Sequence, residues 1–354
     1  MDIGDSARIE GCQLKARYIE TSSGNSSIDE LFGGGLPNSS IITLDEMSSK
    51  CYAPILAKYF LAEGKNHGHQ LVVAGPGNFD KMDQYLKLPS LISNKDSESS
   101  ITPSTSMSRD ADDETMRIAW RYANTPQVES TVGKQKQAKN RYDLGKTEEL
   151  QKENDFRLFY VSPEFDVSYQ ELYQKLQNLL QEDDFSKTKT ERKIGKPLVK
   201  KFVRVVIDGM GLPIWKDDEN FERFLAFLPN LTRNAYVIVY LLTNPSRLSE
   251  KRQRALEIAS DGYIRLQAIE EEERKTMGPM DKFHGYFRII KLPRLSAAGH
   301  FCPPVVDLVF ELHRKSFDVK ILHLPPAVGE DEVKAKNRPG QQMTLSCQNK
   351  DLEF

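Results

Sequence analysis

Residues 21–64, TSSGNSSIDELFGGGLPNSSIITLDEMSSKCYAPILAKYFLAEG, decide the fold. An apolar run at 41–44 precedes a polar loop at 45–52, and apolar positions at helical spacing follow between 55 and 62. This is the order of a strand, a loop and a helix. In a doubly wound α/β domain a nucleotide phosphate binds at such a loop, because the loop amides and the helix N-terminus both present positive charge.

The loop sequence, DEMSSKCY, differs from phosphate-binding loops, which read G-x-x-x-x-G-K-[ST]. It contains no glycine, and without glycine the backbone does not readily adopt the positive φ angles that turn successive amides toward one anion. Asp45 and Glu46 also place negative charge at the entrance of the loop. The stretch therefore predicts the strand–loop–helix frame of a P-loop ATPase without a functional phosphate-binding loop.

Two interpretations of this loop stay open. In the first, ATP is a cofactor, Lys50 is the phosphate lysine, and Ser48 or Ser49 reaches Mg²⁺. Asp208, at the end of the buried apolar run 202–208, would then correspond to the acid that holds the water shell of Mg²⁺. In the second, Asp208 only caps the turn that follows it, and the loop binds no cofactor and no metal.

Two sequence blocks carry a family resemblance. TSSGNSSIDELFGGGLP at 21–37 and KYFLAEG at 58–64, with glycine and histidine at 68–69 shortly after, resemble the family of fourth subunits of the Elongator complex. Shorter blocks follow in the same order: IAWRY at 118–122, VIDGMGLPIW at 206–215, HGYFRIIKLPRL at 284–295 and ILHLPP at 321–326. The resemblance covers residues from about 21 to 326, and the first two blocks are the specific ones.

The resemblance implies a RecA-like fold without intact Walker motifs. It also implies a hexameric ring with two sister RecA-like subunits, in two copies each, that binds tRNA and is described as turning over ATP. The ring would assist the catalytic Elongator subcomplex in modifying the wobble uridine at its 5 position, with the radical and acetyl-CoA chemistry in a different subunit. We expect such a subunit in the cytoplasm and nucleus, without catalytic residues of its own.

Composition narrows the class of protein. The 354 residues are 39% apolar with a mean hydropathy of −0.53, which is low for a compact enzyme and indicates a core diluted by disordered inserts. The net charge of −2 gives no overall attraction to nucleic acid or membrane. The N-terminus does not look like a signal peptide, and no apolar run is long enough to span a bilayer. The four scattered cysteines indicate reduced thiols.

Two basic segments are candidates for RNA contact. The strongest basic run lies within 187–201 and begins with Lys187, Lys189, Arg192 and Lys193. It could contact phosphates, or it could be a solvated linker, since no aromatic residues alternate with its charges. A second segment follows the most strand-like run, 235–242, and carries Arg247, Arg252 and Arg254. These arginines could contact RNA or a nucleotide of the next subunit, or simply coat an exposed helix.

The expected organisation is a single RecA-like α/β domain at 21–326, with a central mostly parallel sheet flanked by helices. Strand patterns near 261–268, 286–292, 306–312 and 317–322 predict an antiparallel C-terminal extension of the sheet. The polar composition predicts an N-terminal arm at 1–20, disordered inserts at about 93–115 and 124–155, and a disordered tail at 327–354. Residues 80–88 are predicted to form a short helix.

An aromatic cluster separates the two expected inserts. Ile118, Trp120 and Tyr122 alternate with other residues, and an acidic stretch precedes them. An isolated cluster of this kind docks on its own domain or on a neighbouring protein, and we favour its own domain.

No independent catalytic motif is visible: the sequence has no H-E-x-x-H, no G-x-S-x-G and no Rossmann glycine motif after a strand. Three hypotheses remain. The favoured one is a non-catalytic subunit of the Elongator ring. The others are a working ATPase with an atypical loop and a recombinase-like DNA-binding protein.

Overall fold

The computed structural model describes residues 9–15, 18–47, 51–76, 83–92, 142–150, 156–161, 168–188, 199–213, 215, 217–276, 282–293 and 307–322. The strands in these ranges are β1 (Cys12–Leu14), β2 (Ile19–Thr21), β3 (Leu36–Pro37), β4 (Ile41–Glu46), β5 (Gln70–Pro76), β6 (Lys87–Leu91), β7 (Tyr142–Glu149), β8 (Phe156–Val161), β9 (Val203–Met210), β10 (Val237–Thr243), β11 (Gly262–Ala268), β12 (Gly285–Lys291), β13 (Leu308–Leu312) and β14 (Phe317–Ile321). The α-helices are α1 (Ser26–Leu31), α2 (Tyr52–Asn66), α3 (Tyr169–Leu180), α4 (Phe221–Arg233), α5 (Glu250–Ala259) and α6 (Glu271–Thr276).

A central sheet organises the described part of the chain. Its nine described strands follow the order β14-β13-β12-β11-β4-β10-β9-β5-β8. The pairs from β11 through β8 are parallel, whereas β11, β12, β13 and β14 pair antiparallel in succession. The predicted fold class is confirmed: an α/β domain with a mostly parallel sheet, flanking helices and an antiparallel C-terminal extension.

The central strands are apolar on both faces because helices cover both sides of a parallel sheet. Every residue of β4 and of β10 is buried. One core contains α1, α2 and the separate β6-β7 sheet, with Phe60 and Tyr85 among its buried rings. The opposite core contains α3, α4 and α5, with Leu176, Leu228 and Leu256.

The described part of the N-terminal segment, which was expected to be a polar arm at 1–20, contains strands. β1 pairs with β2, and β2 pairs with β3. Thr21 donates a hydrogen bond to the carbonyl of Gly11 at 2.9 Å, and the imidazole Nε2 of His69 lies 2.8 Å from the carbonyl oxygen of Glu10. Residues 9–15 and 18–20 are therefore held by contacts within their own chain, which a scan for apolar runs does not detect.

Two other local predictions are corrected. Within the expected helix at 80–88, the structure has a single 3-10 turn, Asp83–Tyr85, and then the start of β6. Within the expected disordered insert at 124–155, residues Tyr142–Glu149 form β7, which pairs antiparallel with β6. β7 has only a weak strand pattern in the sequence, because most of its side chains are exposed. Its partner strand also lies some 50 residues away along the chain.

The remaining insert residues, 93–141 and 151–155, and the tail from 323 lie outside the described residues. The same holds for the aromatic cluster at 118–122. The domain boundaries therefore stay a prediction. Among the described helices, none has the length and apolar character needed to cross a membrane.

Candidate functional site

The carboxyl ends of the parallel strands bring together the acidic side chains of the candidate nucleotide site. Asp45 and Glu46 end β4, and Asp208 lies near the end of β9. β10 separates these two strands in the sheet. In open α/β sheets ligands bind at this edge, so these three side chains lie where a ligand site of such a sheet is expected.

Glu46 occupies the N-terminus of α2 with its own carboxylate. Its Oε2 accepts a hydrogen bond of 3.0 Å from the backbone amide of Ala53, in the first turn of the helix. Cys51 precedes the helix and makes no side-chain capping bond. Glu46, itself buried, therefore satisfies one of the helix amides that a phosphate would bind in a P-loop protein.

Asp45 is fully buried beneath a neighbouring arginine. Its Oδ2 accepts hydrogen bonds from the Arg265 guanidinium at 2.8 and 2.9 Å and from the Tyr263 hydroxyl at 2.8 Å. Burial raises the pKa of the Asp45 carboxyl, and the bonds from Arg265 and Tyr263 act in the opposite direction. The pair links the end of β4 to β11, so Asp45 contributes to the stability of the sheet.

Asp208 is in contact with a buried phenol. The Tyr85 hydroxyl donates a hydrogen bond of 2.8 Å to Asp208 Oδ2. Burial, and then the charge of Asp208, raise the pKa of Tyr85 well above its usual value; Cys51 and Glu46 also act on that phenol. Glu46, Cys51 and Asp208 are therefore all close enough to Tyr85 to act on its hydroxyl electrostatically.

The loop between β4 and α2 is described only in part. Ser48, Ser49 and Lys50 lie outside the described residues, so their proposed roles stay predictions. Cys51 is described and exposed, with φ at 63°. The expectation that a loop without glycine avoids positive φ is wrong at this residue. This φ angle is unfavourable for a residue other than glycine, so the turn into α2 is strained.

Of the four residues named in the first basic run, only Lys187 lies in the described ranges. Its ammonium donates to the Ser39 hydroxyl and, at 3.1 Å, to the Arg233 carbonyl, and it lies 5.7 Å from the Tyr236 ring centre. Burial lowers its pKa to about 8. Lys187 thus has internal partners, whereas Lys189, Arg192 and Lys193 lie outside the described residues.

The three arginines of the second segment have different surroundings. Arg252 forms a two-pronged ion pair with Asp218, at 2.7 and 2.9 Å, and lies over the Phe221 ring at 5.2 Å. The Arg254 side chain is 75% exposed, with Glu257 at 3.7 Å. Arg247 ends the 3-10 turn after β10 and is exposed. Arg247 and Arg254 are therefore better placed than Arg252 to meet an external phosphate.

A match to a protein-family model identifies the family of this chain. The family model described as PAXNEB protein matches residues 11–354. The chain belongs to the PAXNEB protein family. Among its relatives is Elongator complex protein 4 of Danio rerio, which is 31% identical over 335 residues, covering 87% of this chain and 82% of that protein.

Two mammalian relatives of this PAXNEB-family chain carry the same name. Elongator complex protein 4 of Mus musculus is 30% identical, over 87% of this chain and 78% of its own length. The Homo sapiens protein is 28% identical, over 87% and 77%. Among solved structures, a KaiC-like protein of Pyrococcus horikoshii matches 86% of this chain and 99% of its own, with 13% identity and a TM-score of 0.45.

Sequence reasoning missed the partners of the acidic residues in this PAXNEB domain. Their position in the sequence indicates only negative charge at the loop entrance, and no spacing rule connects Asp45 to Arg265 or Glu46 to Ala53. Tyr85 gave no signal at all. Arg204, a charge inside the apolar run 202–208, was a usable signal, because a buried arginine requires partners. Among the described residues no group of three or more His, Cys, Asp or Glu side chains is arranged to hold a metal ion.

Proposed function

We propose that this chain is a non-catalytic subunit of the Elongator complex. Family membership and the relatives named Elongator complex protein 4 support a place in that complex. The observation that carries the non-catalytic part is the hydrogen bond from Ala53 to Glu46 at the N-terminus of α2. The chain keeps the strand, helix and sheet edge of a nucleotide-binding domain but fills the anion position with its own carboxylate.

Electrostatics supports the same conclusion. Two like charges 4 Å apart repel by about 4 kcal/mol at the effective dielectric constant of about 20 that is typical near protein surfaces. A triphosphate at the N-terminus of α2 would meet the carboxylate of Glu46 there and that of Asp208 nearby. Binding would require Glu46 to leave Ala53, which adds a cost that an ordinary phosphate loop does not have.

The proposed setting is a hetero-hexameric RecA-like ring with two sister subunits. In this setting the ring binds tRNA and supports modification of the wobble uridine at its 5 position by the catalytic Elongator subcomplex. The candidate RNA contacts are Arg247 and Arg254, together with Lys189, Arg192 and Lys193; Lys187 and Arg252 would contribute through their neighbours. The proposed location is the cytoplasm and nucleus.

The test is the native mass of the full chain, alone and mixed with the two sister subunits of its own organism. The proposal expects a larger assembly of defined stoichiometry only in the mixture, and retention of tRNA by that assembly. A chain that remains monomeric with both sisters would overturn the ring. A ring that forms but binds duplex DNA as tightly as tRNA at equal salt would retain the assembly and overturn the tRNA part.

A working ATPase is the second candidate, favoured by Asp208 at the carboxyl end of β9. In this version Lys50 contacts the phosphates, Ser48 or Ser49 reaches Mg²⁺, and Asp208 holds the metal's water shell. ATP turnover by the assembled ring separates the two. If Lys50→Ala and Asp208→Asn each abolish turnover in an intact ring, this subunit is catalytic; if turnover is unchanged, the activity belongs to the sisters.

A further inference from the structure

Two arginines lie directly opposite each other on β11 and β12, where the sheet changes from parallel to antiparallel pairing. Arg265 of β11 is the register partner of Arg288 of β12. Directly opposite residues of an antiparallel pair point to one face of the sheet, with Cβ atoms about 5 Å apart, and like charges in this arrangement destabilise the pair. Arg265 and Arg288, the arginine pair, therefore form a place where a bound anion is favoured.

The two members of the arginine pair have different surroundings. The guanidinium of Arg265 is half-buried and binds the buried carboxylate of Asp45 at 2.8 and 2.9 Å. Arg288 is exposed and lies over the ring of Tyr286 at 5.6 Å. In the described part of the chain no carboxylate forms an ion pair with Arg288. Since one carboxylate offsets one of two guanidinium groups, a net positive charge remains, and Arg288 carries it.

The arginine pair lies close to the candidate RNA contacts that follow β10. Arg254 of α5 has Glu257 at 3.7 Å, and Glu257 is close enough to Asp45 to act on it electrostatically. Arg247 follows Ser246, whose hydroxyl donates a hydrogen bond of 3.4 Å to the carbonyl of the first residue after β4. Asp45 is itself the next-to-last residue of β4. Four arginines therefore lie around the carboxyl end of this strand.

The acidic side chains placed against these four arginines already have partners among them. Asp45 and Glu257 each pair with one member of the group. The other two members, Arg247 and Arg288, are exposed and form no ion pair within the described ranges. Two positive charges are thus left for an external anion, at separate points along one end of the sheet.

We propose that Arg288, with Arg265 beside it, binds a phosphate group of the tRNA backbone. This role rests on the proposed function, tRNA binding by the ring, and extends the RNA surface from α5 onto β12. A guanidinium group offers a planar fork of N–H donors that matches phosphate oxygens. Tyr286 lies beside that fork, and RNA-binding proteins stack unpaired bases on aromatic rings and arginine planes. Cations at separate points fit a chain of phosphates better than the single carboxylate of a peptide side chain.

Binding of tRNA by the assembled ring, measured over a range of salt concentrations, tests the contact. Arg288→Gln should weaken binding roughly tenfold and lower the slope of log affinity against log salt by about 1 for each copy that contacts RNA. Arg288→Lys keeps the charge without the fork, so it should retain the slope and recover only part of the affinity. Arg314→Gln removes the same charge from the exposed turn between β13 and β14 and should change neither quantity.

Cross-linking locates the RNA independently of affinity. Ile290 follows Arg288 by two residues on β12 and is 45% exposed, and Leu91 of β6 is 44% exposed. Each is replaced in turn by the photoreactive residue p-benzoylphenylalanine in the full chain, which is then assembled into the ring. We expect a cross-link to bound tRNA from position 290 and none from position 91, which lies in the separate β6-β7 sheet. Equal yields at the two positions would overturn the proposal.

The remaining outcomes separate this contact from the proposed function. A ring that binds tRNA with unchanged affinity and salt slope in Arg288→Gln overturns the contact and leaves the function intact, whereas a ring that binds no tRNA overturns both. If Arg288→Gln prevents ring assembly, the arginine belongs to a contact between protein subunits and the RNA contact is wrong. Tripolyphosphate is the probe for a free anion. If it protects the wild-type chain but not Arg288→Gln against urea while tRNA binding is unchanged, the phosphate does not come from RNA.

Discussion

The carboxylate of Glu46 and the backbone amide of Ala53 are joined by a hydrogen bond of 3.0 Å across the loop that links β4 to α2. The bond places a fixed negative charge at the positive end of a 15-residue helix. One of the first amides of the helix is thus satisfied from inside the chain.

Glu46→Ala should lower the free energy of unfolding by about 1–2 kcal/mol, because the variant loses a cap and a charge–dipole interaction. Glu46→Gln should lose less, since its amide oxygen can still accept from Ala53. Urea denaturation measures both, with the exposed residue Glu270 changed to alanine as the control. Equal stability of Glu46→Ala and Glu270→Ala would show that the bond contributes nothing.

Arg204→Met should be among the most destabilising single changes in the domain. The arginine is fully buried and donates to His69 Nδ1 at 3.0 Å, to the Phe60 carbonyl at 2.9 Å and to the Thr21 hydroxyl at 2.8 Å. Removing it leaves these acceptors unsatisfied, at a cost of about 3–5 kcal/mol. Arg254→Met, on an exposed side chain, should cost less than about 0.5 kcal/mol. Equal losses of unfolding free energy in Arg204→Met and Arg254→Met would show that the hydrogen bonds of Arg204 do not stabilise the domain.

His69 should make the domain sensitive to acid. Burial, with the adjacent Arg204 guanidinium, lowers the pKa of His69 from 6.5 to about 3. Between these values the unfolded chain binds more protons than the folded one, so stability is full above pH 6.5 and falls as the pH drops toward 3. The loss is on the order of a few kcal/mol.

His69→Gln should flatten that dependence, because glutamine can accept from Arg204 and donate to Glu10 without titrating. The measurement is the difference in unfolding free energy between pH 7 and pH 4. Ile258→Ala, at an exposed side chain that does not titrate, serves as the control and should leave the difference unchanged. A wild-type slope retained in His69→Gln would assign the acid sensitivity to other groups.

Among the arginines after β10, Arg247 and Arg254 should affect RNA binding without affecting stability. Reversing both to glutamate in the assembled ring should weaken tRNA binding and reduce the slope of log affinity against log salt by about 1–2. Arg252→Glu should instead destabilise the domain, because it places two carboxylates together at Asp218. The Arg314→Glu ring is the control. If the ring with both Arg247 and Arg254 changed to glutamate binds tRNA as tightly as the Arg314→Glu ring, these two arginines do not contact tRNA.

The sequence predicted the sheet well and the site only in outline. Strong local signals, such as the uninterrupted apolar run of β10 and the helical spacing of α2, identified their elements because the burial of each element determines its apolar pattern. β6 and β7 were missed because their pairing joins distant, largely polar segments. The side-chain partners Arg265 and Tyr85 were missed for a related reason. Each lies far along the chain from its acid, and no spacing rule connects them.

The central claim is that the loop between β4 and α2 does not bind a nucleoside triphosphate. Calorimetric titration of the full chain, free of its partners, with Mg-ATP tests it most directly. We expect no saturable binding up to about 1 mM, which corresponds to a binding free energy weaker than about −4 kcal/mol. Micromolar binding that is lost in Lys50→Ala or Asp208→Ala would contradict the claim.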